Sequence, residues 1–446
     1  KIYLLEVFFV YEDYTFSITD EKNSHISLNY NENNEFTVLQ TVRNKKQEAA
    51  FVKELEANGL LFLNSKFASF TNAITEVSEY YNITALIAKQ DKITNTNFQL
   101  EEIWKGLNYP WGMTFIDEEN LLITEKSGGL LRINVSTREQ FNIFHDLNIL
   151  ASSQGGLLDV LYHDNFVYFT YSHNHGERYS STAIARGRLI DDTIKDTEIL
   201  LIAEPKINQA KHFGSRIVIK DNHLFASFGE RGKGMIAQDP TTHPGSIIRI
   251  NLDGSIPKDN PRFINQPTWL PEIYQIGVRN PQGMTFSPFD SNIYISNHGA
   301  KGGDFVGIVN AGGNYGWKVI GWGGENYFGT KIGGGEPFKE EYDKPLLSWV
   351  PSIAPSNIQF YNGNMFQDWK GDLLVSSLKF HMLVKLDMEN SQIVNEEIIL
   401  RGCKMYKKPC HGDNTVGRIR DIEVDKKGRI YIITDEPESA LWRISK

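Results

Sequence analysis

One histidine and a set of arginines and lysines recur at the same point of a repeated pattern, and they are the residues best suited to chemistry. His212 heads Lys211-His212-Phe213-Gly214-Ser215-Arg216-Ile217-Val218-Ile219, where a run alternating like a strand follows the histidine. Arg279 with Asn280, and Arg418 with Arg420, stand at the matching point of later units, and Lys379 closes Ser376-Ser377-Leu378-Lys379. Guanidinium groups present a planar fork matched to carboxylate or phosphate, so a gathering of them with few facing carboxylates calls for an anionic small molecule. His212 could then serve as a general base, because neutral imidazole is populated near neutral pH. A lone histidine before a strand is usually structural; its cationic company favours the chemical role.

The elements that must position these residues are repeats. Six units are anchored at Trp111-Gly112-Met113, Gly155-Gly156-Leu157, Phe213-Gly214-Ser215, Gln282-Gly283-Met284, Pro355-Ser356-Asn357 and Ile419-Arg420-Asp421. Each continues into a second strand ending in Ser or Thr, from Leu121-Leu122-Ile123-Thr124 in the first unit to Ile430-Tyr431-Ile432-Ile433-Thr434 in the last. Short β-rich repeats of this kind predict an all-β, six-bladed β-propeller, one unit per blade around a central channel. Equivalent positions then meet at one end of the channel, so Trp111, Gln154, His212, Arg279, Asn280, Gln282, residues 352–356, Arg418 and Arg420 are expected to form one ring.

The bulk composition narrows the partners. A net charge of −9 over 446 residues leaves no basic stripe for a nucleic acid. The two cysteines, Cys403 and Cys410, read either as a metal or redox pair or, the favoured reading, as a disulfide stapling a loop. The latter implies a periplasmic or secreted location. The chain opens on Lys rather than Met, which predicts a processed or missing segment ahead of it. The apolar stretch from Ile2 to Tyr11 falls short of the about 20 residues of a membrane span and reads as a strand.

Residues 1–97 lie outside the repeat and are expected to form a small appended α+β domain. Thr15–Ile18 and Phe36–Leu39 read as strands. Lys45–Asn58, and a stripe of Phe67, Phe70, Ile74, Val77 and Tyr81, read as helices. Residues 98–446 make the propeller, with Gln99–Trp104 closing the ring against Leu441–Ile444. A Gly-, Trp- and Tyr-rich insert from Gly316 to Trp349 is placed either over the channel mouth or as a surface excursion.

Several stretches resemble the soluble quinoprotein sugar dehydrogenases, and above all the aldose sugar dehydrogenase branch of the glucose/sorbosone dehydrogenase family. They are His212–Val218, Gly277–Gly283, His298–Asp304 with Asn314–Trp317, Ile353–Ser356 and Arg418–Asp421. The likeness runs from about residue 100 to the end. It implies pyrroloquinoline quinone (PQQ) and calcium as cofactors, a small-molecule aldose as substrate and a separate electron acceptor. His212 would take the proton of the anomeric hydroxyl, Arg279 would face the developing negative charge, and Gln154 and Glu230 would complete the catalytic set. Arg279, Asn280, Ser352, Lys379, Arg418 and Arg420 would hold PQQ, and the main-chain oxygens of Gly299 and Ala300 would hold calcium. The sequence departs from the family pattern at Lys211, at Ala300, at Ser352 and at Phe305, which removes a carboxylate expected at a second calcium site. The other readings are a non-catalytic propeller used for binding or scaffolding, with the N-terminal region as an assembly element, and a metal-dependent lactonase, for which the ring lacks a carboxylate cluster.

Overall fold

The computed structural model describes residues 96–262, 268–327, 329–401 and 416–446, together with the backbone of four strands within residues 4–41. Those strands, Leu4–Val10, Asp13–Thr19, His25–Tyr30 and Phe36–Thr41, form one antiparallel sheet in chain order; His25–Tyr30 is a strand that the sequence reading did not include. The two expected helices and the Cys403–Cys410 pair fall outside the described residues.

Six further four-stranded antiparallel sheets follow. Their first strands are Pro110–Phe115, Leu157–His163, Gly214–Lys220, Pro281–Phe286, Pro355–Phe360 and Ile419–Val424. Each touches the first strand of the next blade, and the sixth touches the first, so the ring is closed. The last blade takes its outer strand from Gln99–Leu107, pairing Leu441 with Trp104 and Ile444 with Leu100. That is the predicted closure, and it leaves the sheet ring without a gap.

Side chains of each second strand alternate between two interfaces, which is why these strands read as continuous apolar runs rather than as a polar–apolar alternation. Leu121 and Ile123 of blade 1 pack with Tyr431 and Ile433 of blade 6, whereas Leu122 between them packs with Phe169 of blade 2. Blade 4 repeats the pattern: Ile293 and Ile295 face blade 3, and Tyr294 faces blade 5. Each such fully buried side chain contributes about 1.5–3 kcal/mol of transfer free energy.

The terminal Ser and Thr of the repeat have a specific task. Every first strand carries a register shift at its anchor, and such bulges turn side chains toward a new direction. The bulge frees a backbone N–H, which the hydroxyl of the second strand accepts: Gly112 N donates to Thr124 at 2.9 Å, Asp159 N to Thr170 at 3.2 Å, Arg216 N to Ser227 at 3.0 Å and Asn357 N to Ser376 at 3.0 Å. The hydroxyls of Thr124, Thr170 and Ser227 then donate to a carbonyl of the next blade, at Leu158, Ser215 and Pro281. One small polar side chain thus fixes the bulge and fastens two blades.

Candidate active site

His212 stands at the start of blade 3 with φ 54°, in the left-handed region that a non-glycine residue keeps only with support. Support comes from Gln154, whose side-chain oxygen accepts the His212 backbone N–H at 2.8 Å. The imidazole Nδ1 lies 2.6 Å from Glu230 Oε1. Glu230 is itself fixed by Gly234 N, which donates to Oε2 at 2.8 Å, and by its own N–H, which donates to Arg279 O at 2.8 Å. With Nδ1–H donating to the carboxylate, Nε2 carries the lone pair.

Burial pushes the His212 pKa below its ordinary value; Arg279 and Lys211 act in the same direction, while the bond to Glu230 opposes them. The ring is therefore neutral, and able to accept a proton, at neutral pH. Burial pushes the Glu230 carboxyl up, but the hydrogen bond and charge of His212, the Gly234 N–H and the Arg279 charge together hold the group below its usual range.

Arg279 and Asn280 enter at the head of blade 4, where both backbone N–H groups donate to Asn297 Oδ1, at 3.0 and 2.9 Å. Asn280 Oδ1 accepts Gly214 N at 3.1 Å, tying this corner to the His212 strand. The Arg279 guanidinium donates to His298 O at 3.3 Å and lies 5.3 Å from the centre of the Trp317 ring. Burial, with the nearby Arg279 and Arg420, pushes His298 down to about 3. It is neutral, with Nε2 donating to Pro355 O at 2.7 Å.

The remaining predicted residues fall into two groups. Arg420 donates to Gln282 Oε1 and Asp435 Oδ2, both at 2.6 Å. Its buried Nε has no partner. Arg418 reaches Asp435 at 3.8 Å and donates to Leu378 O at 3.1 Å, beside Lys379. The second group centres on Asp304, which accepts Gly299 N at 2.7 Å, Ala354 N at 2.6 Å and the Ser352 hydroxyl. Ser352, expected to contact cofactor, thus already has its hydroxyl engaged. Asp304 also ties the Gly299–Ala300 loop to the segment entering blade 5.

Carboxylates at the mouth are more numerous than the sequence led us to expect. Asp435, Asp304 and Glu230 are all there, and Lys126 pairs with Asp435 at 2.9 Å. A signal for them existed: Lys126, Glu230, His298, Lys379 and Asp435 each stand one or two residues beyond a second strand. No group of three His, Cys, Asp or Glu side chains gathers as a metal site among the described residues. Phe305 is wholly buried, 4.6 Å from the ring centres of Tyr315 and Trp322. It is a core residue and supplies no ligand oxygen.

The Gly316–Trp349 insert also belongs to the mouth. Trp317, Ile320, Trp322 and Ile332 are buried in one cluster with Phe305 and Tyr315, so it is packed structure, with Trp317 beside Arg279.

A family model described as glucose/sorbosone dehydrogenase matches residues 107–443. The chain belongs to that family. An aldose sugar dehydrogenase of Escherichia coli is 32% identical over 361 residues, which is 78% of this chain and 92% of the relative. A quinoprotein glucose dehydrogenase of Acinetobacter calcoaceticus is 25% identical over 451 residues, covering 81% of this chain and 90% of the relative. The crystal structure of the soluble E. coli aldose sugar dehydrogenase in its apo form matches with a TM-score of 0.72 at 29% identity, covering 78% of this chain and 99% of that one. No helix among the described residues is long and apolar enough to cross a membrane. The family membership makes this an oxidoreductase of the sugar dehydrogenase type, as the resemblance implied.

Proposed function

We propose that the protein oxidises the anomeric carbon of an aldose to the lactone, with PQQ and calcium bound at the channel mouth. The observation that carries this reading is His212, neutral and oriented by Glu230, inside a ring whose cations outnumber their anionic partners, Lys126, Arg418 and Arg420 sharing Asp435. Arg279 and Lys379 have no ion pair among the described residues, and the orphaned Nε of Arg420 is a donor awaiting an acceptor. That donor set fits a tricarboxylate. Arg279, Asn280, Lys379, Arg418 and Arg420 would hold it, and the carbonyls of Gly299 and Ala300 would hold calcium, a cation that takes oxygen ligands.

When bound, the quinone supplies a hydride acceptor and the calcium a Lewis acid. The protein supplies the rest. His212 Nε2 takes the proton of the anomeric hydroxyl, and Glu230 stabilises the imidazolium that forms. Arg279 places fixed positive charge where negative charge develops, in a buried setting where it acts strongly. A periplasmic or secreted location fits a Cys403–Cys410 disulfide, and a separate electron acceptor completes the cycle.

The test is dye reduction by purified protein supplied with PQQ and calcium, across a panel of aldoses. Turnover that needs both additions and stops with a chelator is the expected result. PQQ binding without reduction by any aldose would overturn the dehydrogenase reading and leave a binding or scaffold role.

A further inference from the structure

Resting on that reading, a feature of the blade 4 insert points to the substrate itself. Tyr327 is 69% exposed, yet its ring centre lies 6.0 Å from the Arg279 guanidinium carbon. An isolated surface aromatic needs no explanation; this one is held beside the catalytic arginine by a well-bonded turn. Lys301 and Glu325 exchange backbone hydrogen bonds of 2.8 and 3.0 Å. Asn326 N donates to Thr330 O at 2.9 Å, Gly329 N to Asn326 O at 2.8 Å, and the Asn326 side chain to Lys331 O at 3.0 Å and the Thr330 hydroxyl at 3.1 Å. Arg279 already has the buried Trp317 for a stacking partner, so Tyr327 is not needed to steady it.

We propose that Tyr327 is a stacking wall of the substrate site, packing its ring against the C–H face of the aldose while the anomeric hydroxyl points to His212. A pyranose presents just such an apolar face, and a ring fixed in advance on a bonded turn loses little freedom when the sugar arrives. The same turn pairs with Lys301, next to the Gly299–Ala300 loop, which couples the wall to the segment expected to carry calcium. The Tyr327 hydroxyl has no part in stacking.

The experiment compares wild type, Tyr327→Ala and Tyr327→Phe, each loaded with PQQ and calcium, reading KM and kcat separately for several aldoses. A second readout is aldose binding to the cofactor-free proteins by saturation-transfer NMR. Tyr327→Ala should raise KM roughly 3- to 10-fold, leave kcat within about twofold and weaken the ring-proton saturation signal of the sugar. Tyr327→Phe should behave as wild type. An unchanged KM in Tyr327→Ala with an active wild type would overturn the wall alone. A loss confined to kcat would do the same, assigning Tyr327 to the support of Arg279. A wild type that oxidises no aldose would overturn the dehydrogenase reading and the wall together.

Discussion

At mid-channel, Arg216 places Nη1 2.8 Å from Asp159 and 3.0 Å from Asp421. Its Nε donates to Gln282 O at 3.0 Å. Both carboxylates also take backbone donors, Ile217 N on Asp159 and Met113 N on Asp421, each at 2.7 Å. At the mouth Arg279 and Lys379 have no ion pair among the described residues, and Arg420 pairs with a single carboxylate, Asp435; Arg216 and Arg420 each keep one unpartnered nitrogen, Nη2 and Nε. Arg216 and Arg420 occupy equivalent positions of different blades, each in the bulge of a first strand. What separates Arg216 from Arg420 is the count of carboxylates, two against one. A cation whose acceptors come from several blades acts as a fastener; a cation left short of acceptors is a receptor for an anion.

The largest effect that would sharpen this contrast is at the base. His212→Ala should cut turnover by about 10²- to 10⁴-fold with the melting temperature unchanged, measured by dye reduction and calorimetry. Arg216→Met should behave in the opposite way. Stranding Asp159 and Asp421 should cost about 3–5 kcal/mol of unfolding free energy, read by denaturant titration, while any folded protein keeps the wild-type pH profile. Lys379→Ala should weaken PQQ binding about 10- to 100-fold by equilibrium titration, as expected for losing one charge-assisted contact.

Smaller effects concern pH. Because burial lowers the His212 pKa below 6.5 and the base must be unprotonated, kcat/KM should be level at neutral pH and fall only on acidification below 6.5. The Glu230 bond raises the His212 pKa, so Glu230→Gln should move that limb to lower pH as well as reduce kcat. Lys211 lowers the pKa by less than burial or Arg279 does, so Lys211→Ala should move the limb slightly upward. A shift in the reverse direction in either variant would break the assignment of His212 as base.

The repeat was legible because its chemistry is local: a glycine or proline near the bulge, an apolar run, and a Ser or Thr within one hairpin. For the same reason Gln99–Trp104 could be assigned to the last blade. His212, Arg279, Arg418 and Arg420 were legible as a ring because they stand near the bulges. Asp304 was not, since its partners Ser352 and Ala354 arrive from a later blade across the long insert. Neither was the exchange of roles between Arg216 and Arg420, because strand position is the same for both and only the three-dimensional supply of acceptors differs. Gln154 was expected in the catalytic set; its side-chain oxygen holds the His212 backbone, a contact spanning two blades that no local pattern encodes.

The central claim is that the cations at the mouth form a receptor for an anionic quinone while the mid-channel cation does not. The most direct measurement is a titration of PQQ into the cofactor-free protein with calcium present, repeated with Arg420→Ala and Lys379→Ala. Saturable one-site binding that both substitutions weaken, and that falls off as salt is raised, is the predicted result. Absence of binding, or binding that neither substitution alters, would contradict the account.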